Sequence, residues 1–508
     1  MGIVHIKKIL IVTACVTALA GCKRYTPMED VTEASVATEV ESSEGVAESD
    51  TAAETVASPI VISTEPELPE RTPVRVKGIY VSAYVAGSGT MLDEIVQHID
   101  ETEVNAVVID VKDDSGRVTF AMDDAPTVQE IGASKVYIDD VDAMVQKLKE
   151  HNIYVIARVV AFRDPYMAEA KPEWSLHLAD GSLFRDRSGL AWVNPYKQEV
   201  WDYLIEVGTE AGKAGFDEIQ FDYIRFCTEK GMKDVVFDEA DTKGRSKTDV
   251  ISEFVEYAHE KLMAEGLYMA ADVFGAIIGS EEDSASVGQI YGEMAKNLDY
   301  ICPMIYPSHY GDGNFGVQYP DTEPYKIILA ALQGSELELS QYRNSEETGE
   351  ESGQPAAGTQ LGESEQMDEN NAQQAIVRPW LQDFTAKYLK HYIPYRAKEV
   401  RDEIQGVYDA GYDEWILWSA SCKYTWDAMK TPEEAEQEDA VIAENREAAK
   451  QRALEEAAVM KASKEARDEA SRAAEEESKA AETANTESDA NIETTANSDE
   501  TAAKETLQ

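Results

Sequence analysis

The chain has 508 residues and a formal net charge of −52, from 46 basic and 98 acidic side chains, which excludes nucleic acid as a partner because phosphates need a basic surface. Hydrophobic residues at 43% and 24 tyrosines supply a large core, so disorder throughout is excluded as well. Five cysteines and seven scattered histidines, with no His-x-x-x-His or Cys-x-x-Cys spacing, exclude a disulfide scaffold and predict neither metal nor cofactor.

Residues 1–22 follow the plan of an export signal. Lys7 and Lys8 give a positive start, and Ile9 to Ala20 form an apolar run too short to span a bilayer. Leu19-Ala20-Gly21-Cys22 closes the segment and resembles a bacterial lipobox. That resemblance implies a lipidated Cys22 and a membrane-anchored, extracytoplasmic protein. Residues 23–73 read as a linker, since residues 29–70 carry 12 acidic and no basic side chains. Such a segment cannot repay the entropy of ordering, and its like charges favour extension. Residues 334–373 (10 acidic, one basic) and 431–508 (22 acidic, nine basic) have the same character. The folded part is therefore residues 74–430, interrupted by a disordered insert at 341–373.

Between these segments, strand and helix alternate eight times. The expected strands are Val76–Tyr84, Ala106–Val111, Tyr154–Val160, Glu218–Arg225, Tyr268–Phe274, Tyr300–Tyr306, Ile376–Gln382 and Glu414–Ser419. The expected helices are Leu92–Glu101, Val141–His151, Lys197–Lys213, Val250–Glu265, Gln289–Asn297, Tyr325–Leu337 and Ala397–Ala410. Runs such as Val107-Val108-Ile109 are apolar on both faces, as strands of a parallel sheet are. A (β/α)8 barrel fits this order. The alternative, a doubly wound open sheet, lacks a Gly-x-Gly-x-x-Gly after its first strand. The insert then lies between the sixth helix and seventh strand, opposite the face where barrel enzymes work.

That working face is formed by the C-terminal strand ends, and the sequence is polar there. Side chains alternate along a strand, so Glu218, Gln220 and Asp222 share one face, and Ala270 and Asp272 another. Turned inward, Asp222 and Asp272 stand on neighbouring strands. Two adjacent carboxylates do not both ionise easily, which yields the acid and the base or nucleophile that glycosidic cleavage uses. Arg158 and Arg225 are placed to keep one of them charged. Tyr84, Tyr223, Tyr306, Tyr310, Trp380 and Trp418 offer flat faces for pyranose rings. Asp110, Gln220, Gln382, Asp383, Ser308 and His309 offer hydrogen bonds. Asp113 and Asp114, before Ser115-Gly116, read as turn formers. Cys227, Cys302 and Cys422 read as buried free thiols.

The stretches Lys77–Val81, Val108–Asp113, Phe216–Arg225, Ala271–Gly275, Cys302–Tyr310 and Arg378–Phe384 resemble a bacterial glycosyl hydrolase family first filed as a domain of unknown function, similar to α-amylase-type barrels. The likeness covers about residues 74–428. It implies a (β/α)8 glycoside hydrolase whose strand-four aspartate falls on Asp222. Amylase-type barrels carry a glutamate acid/base on strand five, where this chain has Asp272. They carry an arginine two residues before the nucleophile, where this chain has Gln220.

The tail from Glu433 to about Ala481 is rich in Ala, Glu, Lys and Arg and has no sustained heptad, so it reads as a solvated helical extension. Residues after Thr483 read as disordered. Three functions stay open: a surface-anchored glycoside hydrolase acting on a polysaccharide, a carbohydrate-binding lipoprotein without turnover, and a structural envelope protein whose acidic tail recruits partners.

Overall fold

The computed structural model describes residues 71–348, 374–463 and 466. The signal segment with Cys22, the linker up to residue 70, insert residues 349–373 and most of the tail beyond residue 463 lie outside the described residues.

Eight parallel strands close into a barrel. They are β1 (Lys77–Val81), β2 (Ala106–Lys112), β3 (Tyr154–Val160), β4 (Glu218–Asp222), β5 (Tyr268–Phe274), β6 (Tyr300–Met304), β7 in two pieces (Ile376–Val377 and Trp380–Gln382) and β8 (Trp415–Trp418). Each strand pairs with the next, and β8 returns to β1, where Ile416 lies opposite Gly78. Strand β7 breaks at Arg378-Pro379 because Pro379 has no N–H for the ladder. The Arg378 amide still bonds Ile301 O at 2.9 Å, which keeps the seam between β6 and β7 shut.

The helices α1 (Gly89–Asp100), α2 (Val141–Glu150), α3 (Gln198–Lys213), α4 (Lys247–Ala264), α5 (Tyr291–Lys296), α6 (Pro324–Thr348) and α7 (Ala397–Asp409) cover the outside. Local chemistry sets their ends. Ser246 and Asp249 form a capping box at the start of α4, and the Asp140 side chain caps α2.

Even-numbered strand positions point into the barrel. Tyr80, Val108, Ile156, Ala270, Cys302, Trp380 and Ile416 meet there as an inner core, distinct from the core between strands and helices. Eight strands leave room for side chains and nothing larger. Each fully buried large apolar side chain contributes about 1.5–3 kcal/mol. At the floor, Arg378 pairs with Glu218 and Glu414, both at 2.8 Å, and lies 3.7 Å from the Tyr300 ring centre. Arg71 closes that end from below, bonding Leu267 O at 3.0 Å and Asp299 at 2.9 Å.

Several strands end sooner than the sequence pattern suggests. Strand β1 stops at Val81 because Ser82 caps a helical turn, Ala83–Ala86. Strand β4 stops at Asp222 because Tyr223 turns to a φ of 56°. Strand β6 stops at Met304, ahead of the turn Pro307–His309. Helix α6 runs past the expected Leu337 into the segment read as insert.

The tail departs further from expectation. Residues 432–463 form a helix, α8, which packs on the barrel instead of standing in solvent. Ala435, Ile442, Ala449, Ala453 and Ala457 make its buried stripe. Alanines hide such a seam from a search for large apolar residues, yet they allow close approach. Acidic residues of α8 supply the rest: Asp439 bonds Lys77 at 2.9 Å, and Glu438 pairs with Arg401 and Lys430.

The β3–α3 connection is long. It holds a short helix, Pro165–Ala170, and a strand, His177–Leu178, which pairs antiparallel with Val235–Val236 from the β4–α4 connection. These two connections build a wall beside the C-terminal ends of β3 and β4. Cys227 and Cys302 are buried and Cys422 is half-buried, all as free thiols, as the spacing suggested.

Candidate active site

Strands β2, β3, β4 and β5 carry Asp110, Arg158, Asp222 and Asp272 at their C-terminal ends. The register explains why they meet: Asp110 lies opposite Arg158, Arg158 opposite Gln220, and Gln220 opposite Ala270. One inward step above Gln220 and Ala270 stand Asp222 and Asp272, so both acids face the same mouth.

Arg158 is the hub. It donates to Asp110 at 2.7 Å, to Asp222 at 2.6 and 3.1 Å, and to Asp114 at 3.3 Å. Burial pulls its pKa down, but Asp222, Asp114 and Asp110 together hold it well above the usual value. Asp110 also accepts from the Tyr80 hydroxyl, and its own carboxyl is pushed up by burial against the opposing pull of Arg158. Asp222 takes a further hydrogen bond at 2.6 Å from the Tyr223 amide, which the left-handed turn at Tyr223 aims back at it.

Asp272 is held differently. Gln220 Nε2 at 2.5 Å and Trp380 Nε1 at 2.6 Å both donate to its Oδ1, while Oδ2 takes no hydrogen bond from the described residues. Burial, then the charge of Asp222, drives this carboxyl well above the usual carboxylate range, and the two donors only partly offset that. The pair is thus asymmetric. One acid faces a guanidinium and an amide, and the other is pressed toward its protonated form.

The other expected site residues divide. Trp418 is half-buried, 4.3 Å from the Tyr80 ring and 5.7 Å from Trp380. Tyr306 is buried, with the exposed His309 ring set edge-on to it at 5.0 Å. Tyr223 is half-buried, and Arg163 lies over its ring at 4.6 Å. Trp380, expected as a stacking platform, is 2% exposed and serves Asp272 through its N–H. Gln220 does likewise.

Gln382 is fully buried and spends its amide on Asp321, Phe384 O and the Ser308 amide. Asp383 accepts from the Thr425 amide at 2.7 Å and its hydroxyl at 2.6 Å, so it holds the loop after β8. Among the described residues Arg225 meets no carboxylate, and Arg158 is the cation that pairs with Asp222. Tyr84 stands 64% exposed on the turn after β1.

Three members of the cluster escaped the sequence reading. Tyr80 occupies an inward even position on β1, which was the available signal. Asp114, read as a turn former, reaches Arg158 and Arg163, while Asp113 does make the turn by accepting from the Ser115 amide. Arg163 belongs to the polar end of β3, but the sequence did not reveal its role, since its partners Asp114 and Asp186 come from separate loops. Among the described residues, no group of three His, Cys, Asp or Glu side chains is placed to hold a metal ion.

Residues 78–348 and 340–424 match the family described as "Putative glycosyl hydrolase domain". The chain belongs to this family. It therefore stands among glycoside hydrolase-like proteins. A hypothetical protein from Ruminiclostridium thermocellum is 40% identical over a match covering 38% of this chain and 97% of that one, with a TM-score of 0.36. The PgaB (BpsB) glycoside hydrolase domain from Bordetella bronchiseptica is 10% identical, with 70% and 99% covered and a TM-score of 0.44. The GH20 exo-β-N-acetylglucosaminidase from Vibrio harveyi is 9% identical, with 71% and 55% covered and a TM-score of 0.41. No curated protein matches the chain.

Proposed function

We propose that the protein is a glycoside hydrolase, lipid-anchored through Cys22 on the outer side of a bacterial membrane, that cuts an envelope or extracellular polysaccharide. Asp272 acts as the acid: its protonated carboxyl gives a proton to the leaving glycosidic oxygen. Asp222 acts at the anomeric carbon, as nucleophile or as the base that activates water. Asp110 and Arg158 hold Asp222 in place and face sugar hydroxyls, and Trp418, Tyr223, Tyr306 and His309 line the route to them. Gln220 and Trp380 position Asp272. The observation that carries this reading is the asymmetry of the two acids, one pressed toward protonation and its neighbour held by Arg158.

The test is reducing-end release from a panel of polysaccharides by the wild type, D222N and D272N. Each variant is expected to lose about 10²–10⁴-fold in turnover. Unchanged cleavage by D222N overturns the assignment. The anchor is tested separately: labelled palmitate is expected to enter the wild type and not C22A.

A second reading, carbohydrate binding without turnover, rests on one fact. Both oxygens of Asp222 are occupied, Oδ1 by the Tyr223 amide and Oδ2 by Arg158. Glycans bound tightly by the wild type and never cut would favour it.

A further inference from the structure

Among the described residues, Arg225 is an arginine without an acid. It follows Asp222 by three residues, on the connection leaving β4. Its single hydrogen bond among the described residues runs from Nη1 to Phe226 O at 2.9 Å, so Nε and Nη2 have no acceptor. Its guanidinium is partly buried among three rings, 4.3 Å from Phe274, 5.1 Å from Tyr223 and 5.2 Å from Trp192. Burial lowers its pKa, and Asp222 and the Tyr223 hydroxyl oppose that shift from a distance.

The neighbouring cations are treated otherwise. Arg158 faces three carboxylates, and Arg163 faces Asp114 and Asp186. In a chain with 98 acidic side chains, leaving one rim guanidinium unpaired has a cost, since a desolvated charge needs a counter-charge. The rings fix its plane and offset part of that cost by cation–π attraction. A planar fork with free donors, held rigid beside a reacting centre, matches one chemistry: an oxyanion taken edge-on.

We propose that Arg225 is a specificity-determining residue that binds an anionic substituent, carboxylate, sulfate or phosphate, on a sugar ring of the substrate next to the bond being cut. This rests on the glycoside hydrolase reading for the word substrate; the anion site itself does not need turnover. The protein's own negative field would repel an acidic polymer, so a fixed cation at the mouth is what admits one. Arg225 contributes its charge and its fork, while Asp222 is already served by Arg158.

The test uses the full chain with a panel of acidic glycans (polygalacturonate, hyaluronate, chondroitin sulfate, phosphorylated mannan) and the neutral or charge-removed form of each. Retention in affinity electrophoresis and reducing-end release are both read, for the wild type, R225Q and R225K. The expected result is about tenfold or greater preference for at least one acidic member over its neutral form, lost in R225Q and partly kept in R225K. R225Q is expected to leave retention of neutral glycans unchanged. Preference for a carboxylated, sulfated or phosphorylated member identifies which anion is meant. Cleavage of a neutral polymer alone, or acidic binding equal in wild type and R225Q, overturns the inference while leaving the hydrolase reading intact. Arg225-dependent acidic binding with no cleavage keeps the inference and counts against the hydrolase reading.

Discussion

Gln220 reaches across from β4 to β5 and donates its Nε2 to Asp272 Oδ1 at 2.5 Å, directly beneath the level of Asp222. Its Oε1 is buried and finds no partner among the described residues. The amide therefore gives one hydrogen bond that favours the charged form of Asp272 and leaves one acceptor unsatisfied. This geometry lets the acid be tuned without touching it.

Replacing Gln220 with methionine removes that donor and the orphaned acceptor together. Loss of a donor to the carboxylate raises the pKa of Asp272 further. In the proposed mechanism Asp272 works protonated, so activity should fall as pH rises through its pKa. The alkaline limb of kcat/KM against pH should move to higher pH in Q220M, and W380F should move it the same way. Stability should change by about 1 kcal/mol or less, because a near-isosteric apolar chain replaces a half-satisfied polar one. A shift toward lower pH in both variants would remove Asp272 from the acid role.

Arg158 neutralises a cluster that cannot stand alone. Arg158→Met leaves Asp110, Asp222 and Asp114 facing one another with their common cation gone. Stranding buried charge costs about 3–5 kcal/mol, so thermal unfolding should begin several degrees lower. Arg158→Lys should recover part of the stability and less of the activity, because an ammonium cannot fork between Asp110 and Asp222. Equal melting temperatures for wild type and Arg158→Met would show that the acids share their protons and need no cation.

The charged floor of the barrel makes a pH prediction of opposite character. Burial, opposed by Arg378, pushes Glu218 up to about 7. A group with a raised native pKa binds more protons folded than unfolded between its two pKa values. Stability from this group is therefore greatest below about 4.5 and declines as pH rises to about 7. Glu218→Gln does not titrate. The melting temperature of the variant minus that of the wild type should rise between pH 5 and pH 7, as scanning calorimetry at each pH would measure. A difference that stays level over this interval would mean that Arg378 keeps Glu218 ionised throughout.

These relationships were unevenly legible in the sequence. Strands β3 and β5 occur at the expected residues, Tyr154–Val160 and Tyr268–Phe274, because continuous apolar runs between polar turns leave little choice. The period of two along β4 and β5 put Asp222 and Asp272 on inward faces, which any parallel register preserves. Partner identity was not legible. Glu218 and Arg378 are 160 residues apart, and nothing local marks them as one ion pair. Trp380 looked like a sugar platform because its place at a strand end does not say which way the ring turns; the closed barrel buries it and aims its N–H at Asp272. Arg158 and Arg225 looked equivalent in sequence, and only the structure gives Asp222 to Arg158 and leaves Arg225 on Phe226 O.

Helix α8 gives the last prediction. Its contact with the barrel is made by alanines that lie almost fully buried, Ala453 at 1% and Ala449 at 3% exposure. No space remains for a larger side chain, so Ala453→Leu should destabilise by about 1–3 kcal/mol through overpacking. Truncation after Lys430 should cost more, since it also strips Asp439 from the buried Lys77 and Glu438 from Arg401. Neither change touches the mouth of the barrel: Lys77 begins β1, at the end opposite Asp222. Turnover measured well below the melting temperature should therefore match the wild type in both proteins, while the unfolding midpoint in urea falls. If truncation instead abolishes turnover and leaves the midpoint unchanged, the helix serves the reaction or its partners and not the barrel.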